Sequence, residues 1–284
     1  MTAGFRASRY GIDPFPSESY WYNVGSQLSN KVENSDIGCI WTVGVAGDDG
    51  KCYLNFPSDG LQYPDISFSE EDVNEAYLDY FDERGVLVWI SVEPGNADVS
   101  DLIAIILDRY SNHPCIAGIC IDVKWYKWQT YENDKEISDE EAESWYALIK
   151  SYNETYTLQL KHWLTEKMPP TYRDGLYFID DGQQFESLDH MLDYFTNWGE
   201  NFPDNPVGFQ IGYPADKTWW DQYDDPYGVI ANAIIADIPN TRSVCWVDFS
   251  ITALFPVEEY GTTYYVAPGA VSYTHLTLPT KRIV

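Results

Sequence analysis

The sequence predicts a single-domain α/β fold, a (β/α)8 TIM barrel. Eight short apolar runs recur along the chain before residue 251, and amphipathic helical stretches lie between most of them. The length of 284 residues suits one domain of this kind. A doubly wound open sheet is the alternative, but the chain has no glycine-rich phosphate loop of GxGxxG or GxxxxGK spacing.

Each apolar run predicts one strand of the barrel, in chain order. The runs at 86–92 and 116–123 are almost continuously apolar, as expected of parallel strands that are buried on both faces. The predicted strands are 9–14, 37–45, 86–95, 116–125, 157–163, 175–181, 207–214 and 243–250.

The stretches between the runs predict helices with recognisable starts and stops. Ser138 and Glu141 form a capping-box pattern, and Gly85 and Pro114 mark places where a helix ends. The connection after the fifth run is short and contains two prolines, so its helix is predicted to be weak, and 257–270 offers no convincing closing helix. The predicted helices are 22–32, 69–84, 102–111, 138–152, 187–198 and 230–238.

The chain is strongly acidic, with 45 Asp and Glu against 17 Lys and Arg and a net charge of −28. Such a surface repels nucleic acid and anionic membranes, and no run approaches the roughly 20 apolar residues of a membrane span. We therefore expect a monomer with no nucleic-acid partner and no membrane span. Aromatic residues make up 16% of the chain, and their excess over the needs of a core suits a groove that stacks on sugar rings.

The two termini of the chain and its cysteines indicate where the domain begins and ends and whether the protein lies in an oxidising compartment. The N-terminus has no charged segment followed by an apolar one, so we expect a signal peptide to be absent from this chain. Residues 271–284 resemble a translated sequencing adapter of the kind found in metagenomic sequences, so we expect the barrel domain to span 1–270 and the tail to be non-native. Cys39 and Cys52 flank a turn and are the one pair for which a disulfide is left open, in an oxidising compartment.

The ends of the runs carry acids, aromatic residues and a histidine, and in this fold the carboxyl ends of the strands form the active face. Glycoside hydrolysis needs one protonated and one ionised carboxyl beside the scissile bond. We therefore predict that Glu93 and Asp180 are the catalytic pair and that Asp122 positions groups or stabilises charge. The predicted substrate-binding residues are Asp13, Trp41, Lys124, Trp125, Tyr126, Lys161, His162, Trp163, Asp181, Gln210, Tyr213, Trp246 and Asp248.

Side-chain alternation along a strand leaves two choices open at this rim. Only one of Asp180 and Asp181 points into a regular barrel, and either His162 or the pair Lys161 and Trp163 points inward. Strand-end acids also have a purely structural use, because they cap helices and bind neighbouring arginines.

Residues 118–126 read GICIDVKWY and resemble the fourth-strand signature of chitinase-type glycoside hydrolases, DGxDxDxE followed by an aromatic residue. Asp122 matches the last Asp of that pattern, and Lys124 stands where the family has its catalytic Glu. Residues 10–13 (YGID) are similar to the first strand of lysozyme-type barrel hydrolases, and the whole chain resembles a group of secreted bacterial barrel proteins. These resemblances imply an extracellular, glycosidase-like barrel.

Lys124 leaves three interpretations open. The acid comes from elsewhere, with Glu93 or Asp180 best placed, or the barrel binds glycans without hydrolysing them. In the third interpretation Lys124 forms an imine, which requires a lysine with a lowered pKa, and Asp122 on the same strand face opposes that. We favour a glycoside hydrolase that acts on a polysaccharide or peptidoglycan-type glycan, and the alternative is a non-catalytic glycan-binding barrel.

We expect neither a metal nor a cofactor in this site. Of the four histidines, His113 precedes a proline, His190 lies in a predicted helix and His275 lies in the tail, which leaves His162 as the one well-placed ligand. A hard-metal site built from oxygen ligands stays open as an alternative.

Overall fold

The computed structural model describes residues 1–10, 12–128 and 135–257. It confirms the predicted α/β barrel, in which a closed parallel sheet is surrounded by helices. The predicted tail at 271–284 lies outside the described residues. The strands are β1 (Thr2–Ala7), β2 (Asp36–Ala46), β3 (Cys52–Leu54), β4 (Ile66–Phe68), β5 (Leu87–Val92), β6 (Ile116–Asp122), β7 (Thr157–Lys161), β8 (Leu176–Asp180), β9 (Val207–Ile211) and β10 (Thr241–Val247).

The barrel closes at β1. This strand pairs in parallel with β10 on one side, where Thr2 is opposite Ser243, and with β2 on the other, where Thr2 is opposite Asp36. From β10 the order continues through β9, β8, β7, β6 and β5 to β2. All eight barrel strands therefore direct their carboxyl ends to one rim, which is the face where active sites form in this fold.

The first strand lies earlier in the chain than predicted. β1 is Thr2–Ala7, and the predicted strand at 9–14 belongs to the loop that follows it. Phe5 packs outward into the main core, and Arg6 on the opposite face points into the barrel. The strand has few large apolar side chains, partly because a Cβ at Gly4 would lie 1.9 Å from a carbonyl oxygen of β2. Its composition therefore hid it from a hydrophobic pattern.

Between β2 and β5 the chain adds a small extension to the sheet that the sequence pattern did not predict. β3 runs antiparallel to the end of β2, and β4 runs parallel to β3. Each has three residues, which is too short for a periodic pattern to reveal. The turn of this extension supports the end of β5, because the Gly50 carbonyl accepts a hydrogen bond of 2.7 Å from Asn96 N–H. Gly95 between them has φ +59°, and a Cβ there would lie 2.4 Å from Gly50 O.

The helices surround the barrel close to their predicted places. Ser138 and Glu141 form the predicted capping box, and Ser187 caps the following helix through His190 N–H. After β7 only a short 3-10 turn forms at Thr165–Lys167, as the two prolines beyond it indicated. The helices are α1 (Glu18–Ser29), α2 (Glu75–Asp82), α3 (Val99–Tyr110), α4 (Asp139–Tyr152), α5 (Leu188–Asn201), α6 (Lys217–Trp220), α7 (Pro226–Asp237) and α8 (Asp248–Leu254).

Helix α2 begins six residues later than predicted. The Asp72 carboxylate accepts hydrogen bonds from the N–H groups of Asn74 and Glu75 at 2.8 and 3.3 Å, and it also binds Arg109 at 2.6 Å. This side chain therefore forms a turn just before the helix, whereas the acidic sequence suggested that the helix was already under way.

Side chains of the barrel strands alternate between two environments. Those facing outward pack with the helices in one large core that includes Trp41 and Phe178. Those facing inward form a smaller apolar layer inside the barrel, made by Ile40, Trp89, Cys120, Tyr177, Ile179 and Cys245. Because every second residue shares a face, the inward residues beyond this layer lie at the carboxyl rim.

Two further expectations concern membranes and cysteines. In the part of the chain that the structure describes, no helix has the length and apolar character needed to cross a membrane. Cys39 and Cys52 are buried free thiols, so the disulfide left open for them does not form.

Candidate active site

Inward-facing polar side chains gather at the carboxyl rim of the barrel. They share the inward strand faces with the inner apolar layer, so that Asp122 stands two residues beyond Cys120, Asp181 two beyond Ile179 and Glu93 four beyond Trp89. All are at least nine-tenths buried, which places several charges in a poorly solvated space. The gathered residues are Arg6, Glu93, Asp122, Lys161, Asp181 and Gln210.

Lys161 lies between two carboxylates. Its Nζ is 2.6 Å from Asp122 Oδ2 and 3.1 Å from Asp181 Oδ2. Burial acts to lower the pKa of Lys161, but the charges of Asp122 and Asp181 outweigh it and hold that pKa well above its usual value. A lysine that keeps its proton is a counter-charge for carboxylates and a poor imine-forming nucleophile.

The carboxylates on either side of Lys161 each keep one oxygen for other partners. Burial raises the pKa of Asp122, and Lys161 opposes this effect. Asp122 Oδ1 and Asp181 Oδ1 are buried and have no hydrogen-bond partner among the described residues. These two oxygens can therefore accept a hydrogen bond from a ligand hydroxyl or a water molecule, or act as a nucleophile toward a carbon atom.

Glu93 is held at the neighbouring strand end by two donors. Its Oε2 accepts hydrogen bonds from Tyr10 OH at 2.8 Å and from Ala46 N–H at 3.1 Å. Burial, reinforced by the nearby negative charge of Asp122, raises the pKa of Glu93 to about 7, against the two hydrogen bonds and Lys161. The site therefore pairs a carboxyl that keeps its proton near neutral pH with a lysine-bound carboxyl on the next strand.

Arg6 and Asp248 form a second buried ion pair, across the closure of the barrel. Arg6 Nη2 lies 2.6 Å from Asp248 Oδ1, and Asp248 Oδ2 accepts hydrogen bonds from the N–H and hydroxyl of Ser8 at 2.6 and 2.9 Å. Burial lowers the pKa of Arg6, but Asp248 outweighs it and keeps the pKa above its usual value. Both oxygens of Asp248 are thus engaged, so this predicted binding residue positions Arg6 and is not exposed to a ligand.

Three aromatic rings stand above this charge cluster. The exposed ring of Phe249 covers the Arg6 guanidinium at 4.4 Å, and its centroid is 6.5 Å from that of Tyr10 and 6.0 Å from that of Tyr213. The Tyr213 hydroxyl donates a hydrogen bond of 3.2 Å to Gln210 Oε1. Of the three rings, Tyr10 and Phe249 are exposed and Tyr213 is buried.

A pocket of about 350 Å³ opens beside Asp181. Lys124 projects over two indole rings at its edge, with Nζ 5.3 Å from the Trp125 centroid and 5.1 Å from the Trp163 centroid, the geometry of a cation–π contact. The pocket thus offers a cation, an aromatic face and an acid to a ligand. Its lining residues are Lys124, Trp163, Asp181, Gly182, Gln183, Gln184, Phe185 and Tyr194.

The structure resolves both choices that alternation left open. Asp181 points inward to Lys161, whereas Asp180 faces outward with Phe178, where its Oδ1 accepts a hydrogen bond of 2.7 Å from Gly182 N–H. Lys161 is likewise the inward residue of its strand, and His162 accepts a hydrogen bond of 2.9 Å from Leu164 N–H. The structure therefore does not bring Asp180 to Glu93 as the predicted pairing requires, because the strand places that carboxyl between barrel and helix.

Two predicted aromatic subsites are core residues. Trp41 is 1% exposed on the outer face of β2, where its Nε1 donates to Asn74 Oδ1 at 3.0 Å. Trp246 is fully buried on the outer face of β10, where its Nε1 donates to Ser250 Oγ at 2.8 Å. Neither ring is accessible to a ligand, so both predictions are corrected.

Two other predicted contacts also lie away from the cluster. Tyr126 is buried against α4, with its hydroxyl donating to Glu141 Oε1 at 2.7 Å. Asp13 is exposed in the loop after β1, because that strand ended before the predicted one began.

The sequence pattern did not reveal the arginine in the first strand of the barrel or the aromatic rings in the segments that follow its first and last strands. Arg6, Ser8 and Tyr10 follow from the true first strand, and Phe249 from the first turn of α8. A signal for Arg6 was present, since an arginine between Phe5 and Ala7 in an otherwise apolar segment is unusual unless it has a buried partner.

Comparison with known proteins gives a likeness in fold. The chain matches no protein-family model, and no curated protein matches it in sequence. A GH2 β-galacturonidase from Eisenbergiella tayi, solved with galacturonate, superposes with a TM-score of 0.39 at 15% identity over 64% of this chain and 36% of that one. A β-glucuronidase from Parabacteroides merdae gives a TM-score of 0.46 at 10% identity over 87% of this chain and 31% of that one. The chain thus spans about a third of these enzymes, and the function has to be argued from the site itself.

Proposed function

We propose that this barrel is a glycoside hydrolase in which Glu93 is the general acid and Asp122 is its ionised partner. The observation that supports this most directly is the placement of Glu93, which is 5% exposed at the carboxyl rim and is held there by Tyr10 and Ala46 N–H. Burial and the charge of Asp122 raise its pKa to about 7. A carboxylic acid that retains its proton near neutral pH is what protonation of a glycosidic oxygen requires.

The role of Asp122 follows from its contacts. Lys161 supplies a positive counter-charge at 2.6 Å to one of its oxygens, while the other has no hydrogen-bond partner in the described part of the chain. That second oxygen serves either to attack the anomeric carbon or to take a proton from water. Asp181 shares Lys161 and lines the pocket, so its role is to position Lys161 and to bind a substrate hydroxyl.

This arrangement answers the objection raised by Lys124. Glu93 supplies the acid that the fourth-strand motif lacks, and Lys124 becomes a pocket residue beside Trp125 and Trp163. We propose a polysaccharide or peptidoglycan-type glycan as the substrate because a row of rings and a charged pocket extend beyond one sugar site. Secretion is part of the same proposal, since polymers of this kind lie outside the cell.

The experiment is a reducing-end assay on a panel of polysaccharides and peptidoglycan. Wild type should release new reducing ends, and Glu93→Gln should lower kcat by about 100-fold or more, because a neutral amide cannot donate the proton. Glu200→Gln, on the exposed surface of α5, is the matched control and should keep full activity. Proton NMR of the first products would then show whether the anomeric configuration is retained or inverted.

A second candidate is a glycan-binding barrel without hydrolysis. The observation in its favour is that Lys161 engages both Asp122 and Asp181, so that a stable salt-bridged cluster occupies the place of a reactive pair. Quenching of tryptophan fluorescence by a glycan that is never cleaved would favour this candidate. Absence of both cleavage and binding across the panel would overturn the carbohydrate proposal as a whole.

A further inference from the structure

His113 lies on the face of the barrel opposite the candidate active site, in the loop between α3 and β6. It is 3% exposed, and its Nδ1 is 2.7 Å from Asp82 Oδ2 at the end of α2. The other oxygen of Asp82 accepts a hydrogen bond of 2.9 Å from Cys115 N–H, which fixes the carboxylate in place. Because a carboxylate accepts, Nδ1 donates its proton and Nε2 presents a lone pair.

The other ring nitrogen, Nε2, faces the carboxylate of Glu75. His113 Nε2 is buried without a hydrogen-bond partner among the described residues, and Glu75 Oε1 is 3.5 Å away. Asp79, one helical turn after Glu75 on α2, has its Oδ1 3.9 Å from His113 Nδ1. One ligand atom from each of these three residues lies within 4.8 Å of the other two. A buried imidazole nitrogen that faces a carboxylate is unfavourable unless a proton or a metal cation lies between them.

We propose that Glu75, Asp79 and His113 form a binding site for a divalent transition-metal ion of the zinc class. Zinc bonds of about 2.0–2.2 Å to nitrogen and oxygen in a tetrahedron place ligand atoms about 3.3 Å apart, close to the observed separation of Nε2 and Oε1. An imidazole ligand favours such a metal over magnesium or calcium. Asp82 then acts on the metal through the imidazole, as the outer carboxylate in carboxylate–histidine–zinc sites does.

The position of this site indicates what the ion does. It would join α2 to the loop that leads into β6, at the end of the barrel where conserved features serve stability and not catalysis. The fourth coordination position would face solvent, because Glu75 and Asp79 are exposed. The metal therefore stabilises the fold, and this inference is independent of the proposed hydrolase activity.

The test is a titration of the purified chain with Zn²⁺ and with Co²⁺, which reports coordination through its visible absorption. We expect one ion per chain, a tetrahedral Co²⁺ spectrum and a rise of several degrees in melting temperature at saturating Zn²⁺. Many surface acids in so acidic a chain bind metal weakly, so the comparison with variants is decisive.

The most informative variant changes the two acids on the exposed helix face, where folding is not at risk. The double variant Glu75→Gln and Asp79→Asn should abolish the tetrahedral spectrum and the rise in melting temperature, and Asp82→Asn should weaken binding about 10- to 100-fold. His190→Gln, an exposed histidine beside acids on α5, is the matched control and should bind as wild type does. Binding that is unchanged in the double variant, or no binding by the wild type at millimolar Zn²⁺, would overturn the proposal.

Discussion

The ammonium group of Lys161 lies 2.6 Å from Asp122, although Lys124 is the cation that stands closest to that acid in the sequence. The strand ends at Asp122 and the chain turns into a 3-10 segment at Val123–Trp125, which carries Lys124 toward the pocket. The partner of Asp122 thus comes from the neighbouring strand, at the register position Asp122↔Lys161. The charge balance of the site depends on strand pairing and not on the local motif.

The activity should decrease as the pH rises through neutrality. Glu93 acts as an acid, so it must be protonated, and its pKa is raised to about 7. We expect kcat/KM to have a descending limb near pH 7, and the same limb should be missing from the residual activity of Glu93→Gln. A profile that stays level to pH 9 would assign the acid to another residue.

Stability should also depend on Glu93, with the sign set by its raised pKa. The folded chain holds this proton more tightly than the unfolded chain, so the contribution is full below about pH 4.5 and is lost as the pH rises to about 7. Glu93→Gln should therefore be more stable than wild type at pH 8, by about 1–3 kcal/mol, and the difference should shrink at pH 4. Urea unfolding at the two pH values measures this.

Replacement of Lys161 should be costly and pH-dependent. Lys161→Met leaves Asp122 and Asp181 buried without their shared cation, so we expect a loss of about 3–5 kcal/mol at pH 7. The loss should decrease at lower pH, because the two carboxyls then become neutral. Lys124→Met is the matched control, and chemical denaturation should show a loss below about 1 kcal/mol because that side chain is only partly buried.

The neighbouring acids Asp180 and Asp181 should behave oppositely. Burial raises the pKa of Asp180 well above its usual value and so favours its neutral form, which an amide resembles. Asp180→Asn should therefore keep activity, with stability changed by less than about 1 kcal/mol. Asp181→Asn removes a charge that binds Lys161 and should reduce activity at least tenfold. Equal effects of the two variants in the hydrolysis assay would contradict the assignment of strand faces.

Tryptophans of the core and of the pocket should separate stability from binding. Trp41→Ala removes a buried ring and should cost about 3–5 kcal/mol without changing the glycan affinity of the folded fraction. Trp163→Ala, at the pocket, should unfold nearly as wild type does but bind glycan about fivefold more weakly, through the loss of about 1 kcal/mol of stacking. Calorimetric titration with a bound glycan, beside thermal unfolding, distinguishes the two effects.

The barrel could be predicted from the sequence because the same pattern, an apolar strand followed by a helix, recurs along the chain. Long apolar runs and capped helices each pointed to the same fold, and the capping box at Ser138 formed as expected. The predicted position of the first strand was wrong because the true strand is short, is rich in small residues and carries no strong hydrophobic pattern. For the same reason Arg6 and Tyr10 were not predicted as site residues.

The site was harder to predict because it depends on which face a residue occupies. Asp180 and Asp181 are adjacent at the end of the strand, so their side chains point to opposite sides of the sheet, one toward the helix layer and the other into the barrel. Trp41 and Trp246 are the same residue type as Trp163, which lines the pocket. Only the outward orientation of the first two makes them core residues. Ion pairs between strands, such as that of Lys161 with Asp122, cannot be predicted from the spacing of residues along the sequence.

Arg6 and Asp248 are partners separated by 242 positions in the chain, one in the first strand and the other at the start of α8, directly after the last strand. A polypeptide still on the ribosome lacks the carboxylate that neutralises this guanidinium until almost all of the barrel has been made. Division of the chain between β6 and β7 would likewise leave Arg6, Glu93 and Asp122 on one fragment and Lys161, Asp181 and Asp248 on the other. The buried charges are therefore neutralised only when both halves of the barrel are present, either in one whole chain or in two fragments that reassemble.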